Sequence, residues 1–176
     1  MKLQQTKPCD IDDVMRVIED GRAALANLGI DQWQTGSPNR TIIEGDIKRG
    51  ESYLVRNDQN AVVATAMMTA AGEPDYDEIE GAWLTDGLSD TPDYLVVHRV
   101  AVASDQRGKG LARYVLNAAR SVASSHQRSS IRIDTHPGNV PMQRLLVSEG
   151  FTCCGTITMR FPEGATPQRL AYEKLL

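Results

Sequence analysis

YLVVHRVAVASDQRGKGLAR, residues 94–113, decides the fold of this chain. The segment begins as an apolar run that only His98 and Arg99 interrupt, a pattern typical of a central strand buried on both faces. A short polar turn follows it. Apolar residues then recur at helical spacing from Leu111 onward, which predicts a helix that begins near Gly108. The segment therefore predicts a strand, a glycine-rich turn and a helix start, in that order.

The predicted turn has the chemistry of an anion site. The first N–H groups of a helix have no partner within the helix and lie at the positive end of its dipole. Gly108 and Gly110 keep the backbone accessible to a phosphate, and Arg107, Lys109 and Arg113 add positive charge. The turn is not a Walker loop, since GxxxxGK is absent. It is not the GxGxxG turn of dinucleotide-binding proteins either, because position 113 is arginine.

Three positions in this turn resemble a known family. Arg107, Gly110 and Ala112 match the pyrophosphate loop of the GNAT superfamily of acyl-CoA-dependent N-acetyltransferases. That loop has the pattern [QR]-x-x-G-x-[GA]. The HRVAV strand before the turn and the spacing of Asn139 from Gly150-Phe151 also resemble that family. The resemblance implies an enzyme that uses acetyl-CoA as co-substrate and needs no metal.

The resemblance covers roughly residues 94–160 and implies a fold for the whole chain, residues 1–176. We expect a single α/β (α+β) domain with a mixed, mostly antiparallel twisted sheet of about seven strands flanked by about four helices. Local patterns predict strands at Lys2–Thr6, Ser52–Arg56, Ala61–Thr69, Val96–Val102, Ser130–Asp134, Phe151–Phe161 and Arg169–Leu175. Helices are predicted after Asp10, Ser37-Pro38, Gly108 and Asn139, each ending at or before a glycine or a polar turn.

The resemblance also implies which residues hold the co-substrate. The turn and the helix start would bind the diphosphate through Arg107, Gly108, Lys109, Gly110, Leu111, Ala112 and Arg113. In the family the central strand splays from its neighbour, so the backbone of Val100, Ala101 and Val102 would hydrogen-bond the pantetheine and the thioester carbonyl. Asn139 matches an asparagine that contacts the pantetheine arm, or it serves only as a helix cap.

Acetyl transfer to an amine also needs a group that removes a proton. His98 is the first candidate for the base, because its pKa normally lies near neutrality and strand alternation would place it on one face with Val100 and Val102. The alternative is a structural core histidine. Glu80 is the second candidate, since acidic neighbours would raise its pKa. Trp33 would form a wall of the acceptor pocket, or pack in the core.

One position departs from the family pattern. The tyrosine that is commonly proposed to protonate the departing thiolate falls on Leu146, which has no proton to donate. Tyr114, Tyr172 or water would then serve, or the thiolate would leave unassisted, since thiols ionise near a pKa of about 8.5. The departure also leaves open a second function, a CoA-binding protein that senses or docks without catalysis.

Charge and composition limit the partners. Residues 73–93 hold eight acids and no Lys or Arg, whereas residues 99–132 hold seven basic residues and one acid, which suits an anionic cofactor and a cationic acceptor. The net charge of −4 and the absence of a basic patch interleaved with aromatics argue against nucleic acid. Three cysteines without CxxC and no long apolar run predict a cytoplasmic protein with no membrane contact. Edge strands near the C-terminus suggest a homodimer.

Overall fold

The computed structural model describes residues 1–160 and 167–176, so Phe161, the predicted end of one strand, lies outside the described residues. The chain forms helices α1 Ile11–Asn27, α2 Arg40–Lys48, α3 Leu111–Ser125 and α4 Val140–Ser148. The strands are β1 Lys2–Gln5, β2 Ser52–Arg56, β3 Val62–Thr69, β4 Ile79–Gly81, β5 Tyr94–Val102, β6 Ser130–Thr135, β7 Thr152–Thr158 and β8 Gln168–Leu175.

Within the described residues the strands form one mixed sheet in the order β1-β2-β3-β5-β6-β8-β7-β4. Only β5 and β6 pair in parallel, and every other pair is antiparallel. The predicted fold class is confirmed, with eight strands in the described part rather than about seven. The additional strand is β4, which lies in the acidic segment, residues 72–93. It is too short to show strand alternation in the sequence.

Local capping chemistry explains most helix boundaries. Asn139 begins α4 as predicted, because its side-chain oxygen accepts a hydrogen bond from the backbone N–H of Met142. The predicted start of α2 at Ser37-Pro38 is wrong. Asn39 caps that helix instead, and its side chain accepts from the N–H of Ile42. Serine and asparagine are about equally good N-caps, so the sequence alone does not decide between Ser37 and Asn39.

Two apolar layers cover the two faces of the sheet. On one face α3 and α4 pack on β3, β5 and β6, and this layer contains Leu95, Val97, Leu116 and Leu146. On the other face α1 and α2 pack on β2, β3 and the end of β5. The strand β5 contributes buried residues to both layers, which confirms the prediction of a central strand covered on both sides.

The described sheet ends at β1 on one side and at β4 on the other. The strands near the C-terminus, β7 and β8, therefore lie inside it, and the argument that took them for dimer-forming edges is wrong. The sequence hid this because the chain turns back after β7, and β8 then fills the position between β6 and β7. No helix in the described part of the chain is long and apolar enough to cross a membrane.

Candidate active site

The glycine turn, Arg107–Gly110, leads directly into the first turn of α3. Gly108 and Gly110 have φ angles of +77° and +75°, which residues with a side chain rarely adopt. No side chain caps α3, and the first intrahelical bond runs from the N–H of Tyr114 to the carbonyl of Gly110. The N–H groups of Leu111, Ala112 and Arg113 are therefore the free donors of this helix start. Leu111, Ala112 and Arg113 line a cavity of about 370 Å³, which we call the loop cavity.

The basic side chains around the turn already interact with other groups of the protein. Arg107 donates to the backbone carbonyl of Asp20 in α1, and Arg113 forms an ion pair with Glu149 at 2.5 Å between Nε and Oε1. Lys109 donates to Gln106. Glu149 offsets the charge of Arg113, so the backbone donors carry more of the anion affinity here than the sequence suggested.

The central strand and its parallel neighbour separate beside this turn. β5 pairs with β6 only at Tyr94, Leu95 and Val96. Beyond Val96 the two strands diverge, and a larger cavity of about 570 Å³, the main cavity, opens between them. Its lining includes Val97–Val102 of β5 and Ile133–Thr135 of β6, and it shares Val102, Arg107, Ala112 and Leu145 with the loop cavity. An elongated ligand can therefore lie across both.

A bulge in β5 changes which side chains face the main cavity. His98 pairs with Met67 and Ala101 with Thr65, so two residues of β5 lie opposite Ala66 of β3. Arg99, within the bulge, has a φ of +54°, a conformation that costs a residue with a side chain about 1–2 kcal/mol. The bulge reverses the alternation. Val100 therefore packs on the α3 side, while Ala101 packs on the α1 side.

This bulge corrects the predicted face of His98. His98 contacts Tyr76 in an edge-on arrangement, and Tyr76 packs with Tyr94 and Val96 on the sheet face opposite α3. Simple alternation placed His98 on one face with Val100 and Val102, but an inserted residue shifts every later side chain to the other face. The sequence carried no sign of the insertion, because Arg99 is not a glycine.

His98 lies between two carboxylates. Its Nε2 is 3.2 Å from Oε2 of Glu73, and its Nδ1 is 3.3 Å from Oδ1 of Asp134. Burial alone would lower the pKa of His98, but the two carboxylates outweigh burial and raise it to about 9. His98 in turn lowers the pKa of both Glu73 and Asp134, against the effect of burial on each. At neutral pH this cluster therefore contains an imidazolium between two carboxylate anions.

The cluster speaks against His98 as the base, because an imidazolium with both nitrogens donating has no lone pair to accept a proton. Glu80 does not replace it. Glu80 is exposed on β4, pairs across the sheet with Thr156, and is not among the residues that line the main cavity. Of the eight acids in residues 73–93, the described cavity lining includes only Glu73. The acidic segment thus gives the cavity one carboxylate and not an acidic wall.

Buried interactions fasten the acidic segment to the sheet. The Arg132 side chain lies between the rings of Trp83 and Tyr94 and donates to the carbonyls of Thr85 and Gly87. Glu173 accepts from Arg132 at 3.0 Å and from the hydroxyl of Thr85 at 2.6 Å. These bonds hold the segment that carries Glu73 in one place.

Trp33 lines the main cavity and also packs on the layer beneath α1. Trp33 thus contributes to core packing, and its place in an acceptor pocket stays a prediction. Arg22 fixes its loop by donating to the carbonyls of Trp33 and Pro38. Gly21 makes room for the indole, since a Cβ there would lie 2.7 Å from Cζ3 of Trp33.

The structure leaves no tyrosine hydroxyl in the described lining of either cavity. Leu146 is fully buried in the core layer under α3 and α4. The hydroxyl of Tyr114 contacts the N–H of Leu3 and the carbonyl of Met1, far from the splayed strands. Tyr172 is buried on β8 and lines neither cavity. Asn139 and its neighbour Met142 do line the main cavity.

Sequence reasoning missed the three acceptor-side residues that meet His98 or extend its charge cluster, namely Glu73, Asp134 and Arg169. Arg169, on β8, places its Nε 3.9 Å from Oδ2 of Asp134, and Tyr76 donates to Asp134 at 2.8 Å. Asp134 had one usable signal, since it is the only acid in the strand β6 beside the splay. Glu73 and Arg169 had none, because their neighbours in space are distant in sequence.

Comparisons with known proteins agree with this geometry. A model of the acetyltransferase (GNAT) family matches residues 19–151. A solved GNAT-family acetyltransferase from Streptococcus agalactiae 2603 is 35% identical, with 99% of this chain and 95% of that chain covered and a TM-score of 0.85.

Two further solved structures are similar in fold. A GNAT-family acetyltransferase from Listeria monocytogenes 4b F2365 is 19% identical over 99% of this chain and 94% of that one, with a TM-score of 0.73. A GNAT superfamily phosphinothricin acetyltransferase from Sinorhizobium meliloti, solved in complex with AcCoA, is 13% identical over 99% and 88%, with a TM-score of 0.67. A search of curated proteins found no match.

Proposed function

The chain belongs to the GNAT family of acetyltransferases, and from this premise we propose that it moves an acetyl group from acetyl-CoA to a primary amine of a small molecule or peptide. The amine attacks the thioester directly while both substrates are bound. One observation supports this most strongly: the free N–H groups at the start of α3 and the gap between β5 and β6 open into adjoining cavities. A diphosphate and a thioester on one molecule would occupy the two together.

The diphosphate binds at the helix start. Leu111, Ala112 and Arg113 line the loop cavity, so their N–H groups can donate to a diphosphate there, and the left-handed glycines Gly108 and Gly110 shape the turn beside it. Lys109 is exposed and can swing towards a phosphate. Because the donors are backbone groups, binding depends on the conformation of the turn more than on any side chain.

The pantetheine arm then runs into the main cavity. Past Val96 no described strand pairs with the β6-facing edge of β5, so backbone groups of Val100–Val102 on that edge can bond the arm and the thioester oxygen. Asn139 lies across the gap at the start of α4. Its side-chain oxygen caps the helix, which leaves its amide N–H₂ to donate to the arm.

The acceptor binds on the wall of the main cavity opposite the pantetheine arm. We assign the proton-accepting role to Glu73, whose carboxylate lines the main cavity with part of its surface exposed. The acceptor nitrogen attacks the thioester carbon, the C–S bond breaks, and the surplus proton on nitrogen passes to Glu73 directly or through water. Glu73 has a lowered pKa, so it serves as an anchor for the ammonium and as a relay to solvent rather than as a strong base.

His98 is a positioning residue in this mechanism. Its two N–H groups hold Glu73 and Asp134 in place and balance their charges. The thiolate leaves unassisted and takes a proton from water, because Leu146 offers none and no tyrosine is in the described lining. A thiol with a pKa of about 8.5 is a tolerable leaving group under these conditions.

Leu146 also favours a second candidate function, a CoA-binding protein that senses or docks without turnover, because a buried leucine stands where the family pattern has a tyrosine. The release of free thiol from acetyl-CoA with a panel of polyamines, aminoglycosides, amino acids and peptides separates the two. Turnover with at least one amine supports the enzyme. Tight CoA binding with no thiol release across the panel supports the sensor.

A further inference from the structure

The bulge of β5 has an anchor on a different element. Arg99 adopts its left-handed conformation at the bulge, and its side chain crosses to α2, where its guanidinium Nη1 lies 3.3 Å from Oδ2 of Asp46. Asp46 is only 1% exposed. A non-glycine residue keeps such a conformation only where its surroundings hold it.

Asp46 divides its two carboxylate oxygens between two arginines. Oδ2 faces Arg99 from the inside, and Oδ1 accepts from Arg49 at 2.6 Å from the outside. Arg49 is more than half exposed and belongs to the end of α2 itself. The outer hydrogen bond therefore serves the helix, whereas the inner ion pair links the helix to the strand.

The link matters because the bulge decides which groups face the gap beside β6. Arg99 itself and the residues that follow, Val100–Val102, line the main cavity, while Asp46 does not. Without the inserted residue the side chains of Val100 and Ala101 would exchange faces, and their backbone groups would turn with them. The conformation of Arg99 thus sets the direction of the groups that meet the thioester.

We propose that Asp46 and Arg99 are positioning residues, and that their ion pair fixes the β5 bulge so that Val100–Val102 present their backbone groups to the thioester carbonyl. This rests on the proposed function, since it concerns the same site. It assigns to α2, which does not line either cavity, a share in aligning the acetyl group.

The polarisation of the thioester carbonyl tests the proposal without an acceptor. Acetyl-CoA labelled with ¹³C at the acetyl carbonyl is bound to the wild-type protein, and its resonance is compared with that of the free compound. We expect a shift in the wild type that is largely lost in Asp46→Asn and in Arg99→Gly, with CoA affinity retained in both. With an accepted amine, both variants lose about tenfold in kcat with little change in the KM for acetyl-CoA.

Arg49→Ala is the matched control, because it removes the other arginine from the same carboxylate. It should keep the wild-type carbonyl shift. If Arg49→Ala loses the shift as fully as Asp46→Asn does, Asp46 only stabilises α2 and the proposal is wrong. An unchanged shift in Asp46→Asn overturns it as well.

Two further outcomes are distinguishable. If Asp46→Asn does not fold, Arg99→Gly decides, since glycine accepts the left-handed conformation without strain and lacks the side chain that forms the ion pair. A wild-type carbonyl shift that survives in Arg99→Gly then contradicts the proposal. If the wild type binds no acetyl-CoA at all, the proposed function itself fails, and this inference fails with it.

Discussion

The proposed diphosphate site is built from consecutive residues, whereas the proposed acceptor wall of the main cavity is assembled from separate segments. The turn from Arg107 to Gly110 and the first turn of α3 follow one another along the chain. On the other wall, Trp33 comes from the loop after α1, Glu73 from the acidic segment, His98 from β5 and Asp134 from β6. The first side is therefore fixed by local conformation, and the second by tertiary packing and paired charges.

This difference predicts that mutations in the two regions have different effects on CoA binding and turnover. A change in the glycine turn should abolish CoA binding and leave the acceptor wall intact. A change in the acceptor wall should lower turnover while CoA still binds. The following experiments test that division, from the largest expected effect to the smallest.

Replacing Gly110 should have the largest effect. Gly110→Glu forces a side chain into a left-handed conformation, at a cost of about 1–2 kcal/mol, and brings a negative charge to the diphosphate site. Since each 1.4 kcal/mol is about tenfold, we expect a loss of about 100-fold or more in CoA affinity by calorimetry. Gly36→Glu is the control, because Gly36 also has a left-handed φ and open space around it. It should bind CoA as the wild type does, and an equal loss there would refute the division.

Glu73→Gln should have the second largest effect, a loss of turnover. We expect kcat for an accepted amine to fall roughly 10- to 100-fold, because the proton loses its acceptor, while CoA affinity stays within about twofold of wild type. Glu80→Gln is the matched control, since Glu80 lies in the same acidic segment but outside the cavity lining. Steady-state thiol release measures both variants. A loss in Glu80→Gln with none in Glu73→Gln would restore Glu80 as the catalytic carboxylate.

The pH dependence of stability should show the buried imidazolium. His98 has a folded-state pKa of about 9, above its ordinary value of about 6.5, so its protonation stabilises the folded protein. That contribution is complete below about pH 6.5 and is lost as the pH rises through about 9. We expect the free energy of unfolding of wild type to fall relative to that of His98→Gln over this range, measured by urea denaturation. A constant difference across the range would mean that His98 is not a buried cation.

Gly21→Ala should have the smallest effect. Its new methyl group would meet the indole of Trp33 at 2.7 Å and the Cβ of Ala101 at 3.1 Å, so the indole must move into the acceptor pocket. We expect a rise of about threefold in the KM for the amine, with CoA affinity unchanged. Gly45→Ala controls for helix propensity, because Gly45 lies within α2 and a Cβ there meets only the tip of Arg49. An unchanged KM in Gly21→Ala would remove Trp33 from the acceptor wall.

The sequence predicts the proposed diphosphate site because every part of it is local. Glycines at positive φ, the helix start and the apolar strand before it are all encoded within residues 94–113, and the structure contains each in the expected order. The class of fold was predictable for the same reason, since periodicity or a capping residue such as Asn139 indicates most of the helices and strands.

The acceptor side could not be predicted, because its chemistry arises from contacts between distant segments. His98 looks like a base in sequence, and only the approach of Glu73 and Asp134 makes it an imidazolium. The bulge at Arg99 is invisible for a similar reason, since the carboxylate that faces Arg99, that of Asp46, lies on α2. Strand β4 and the order of β7 and β8 depend on which strands meet, and periodicity does not encode that.

The central claim is that the backbone N–H groups of the glycine turn and of the start of α3 bind the diphosphate of CoA. Calorimetric titration of the wild-type protein with CoA and, separately, with pantetheine tests it most directly, because pantetheine retains the arm and the thiol but lacks the diphosphate and the adenosine 3′-phosphate attached to it. We predict saturable binding of CoA and at least about 100-fold weaker binding of pantetheine, equivalent to about 2.8 kcal/mol. Equal affinity for the two compounds, or no binding of CoA, would contradict the account.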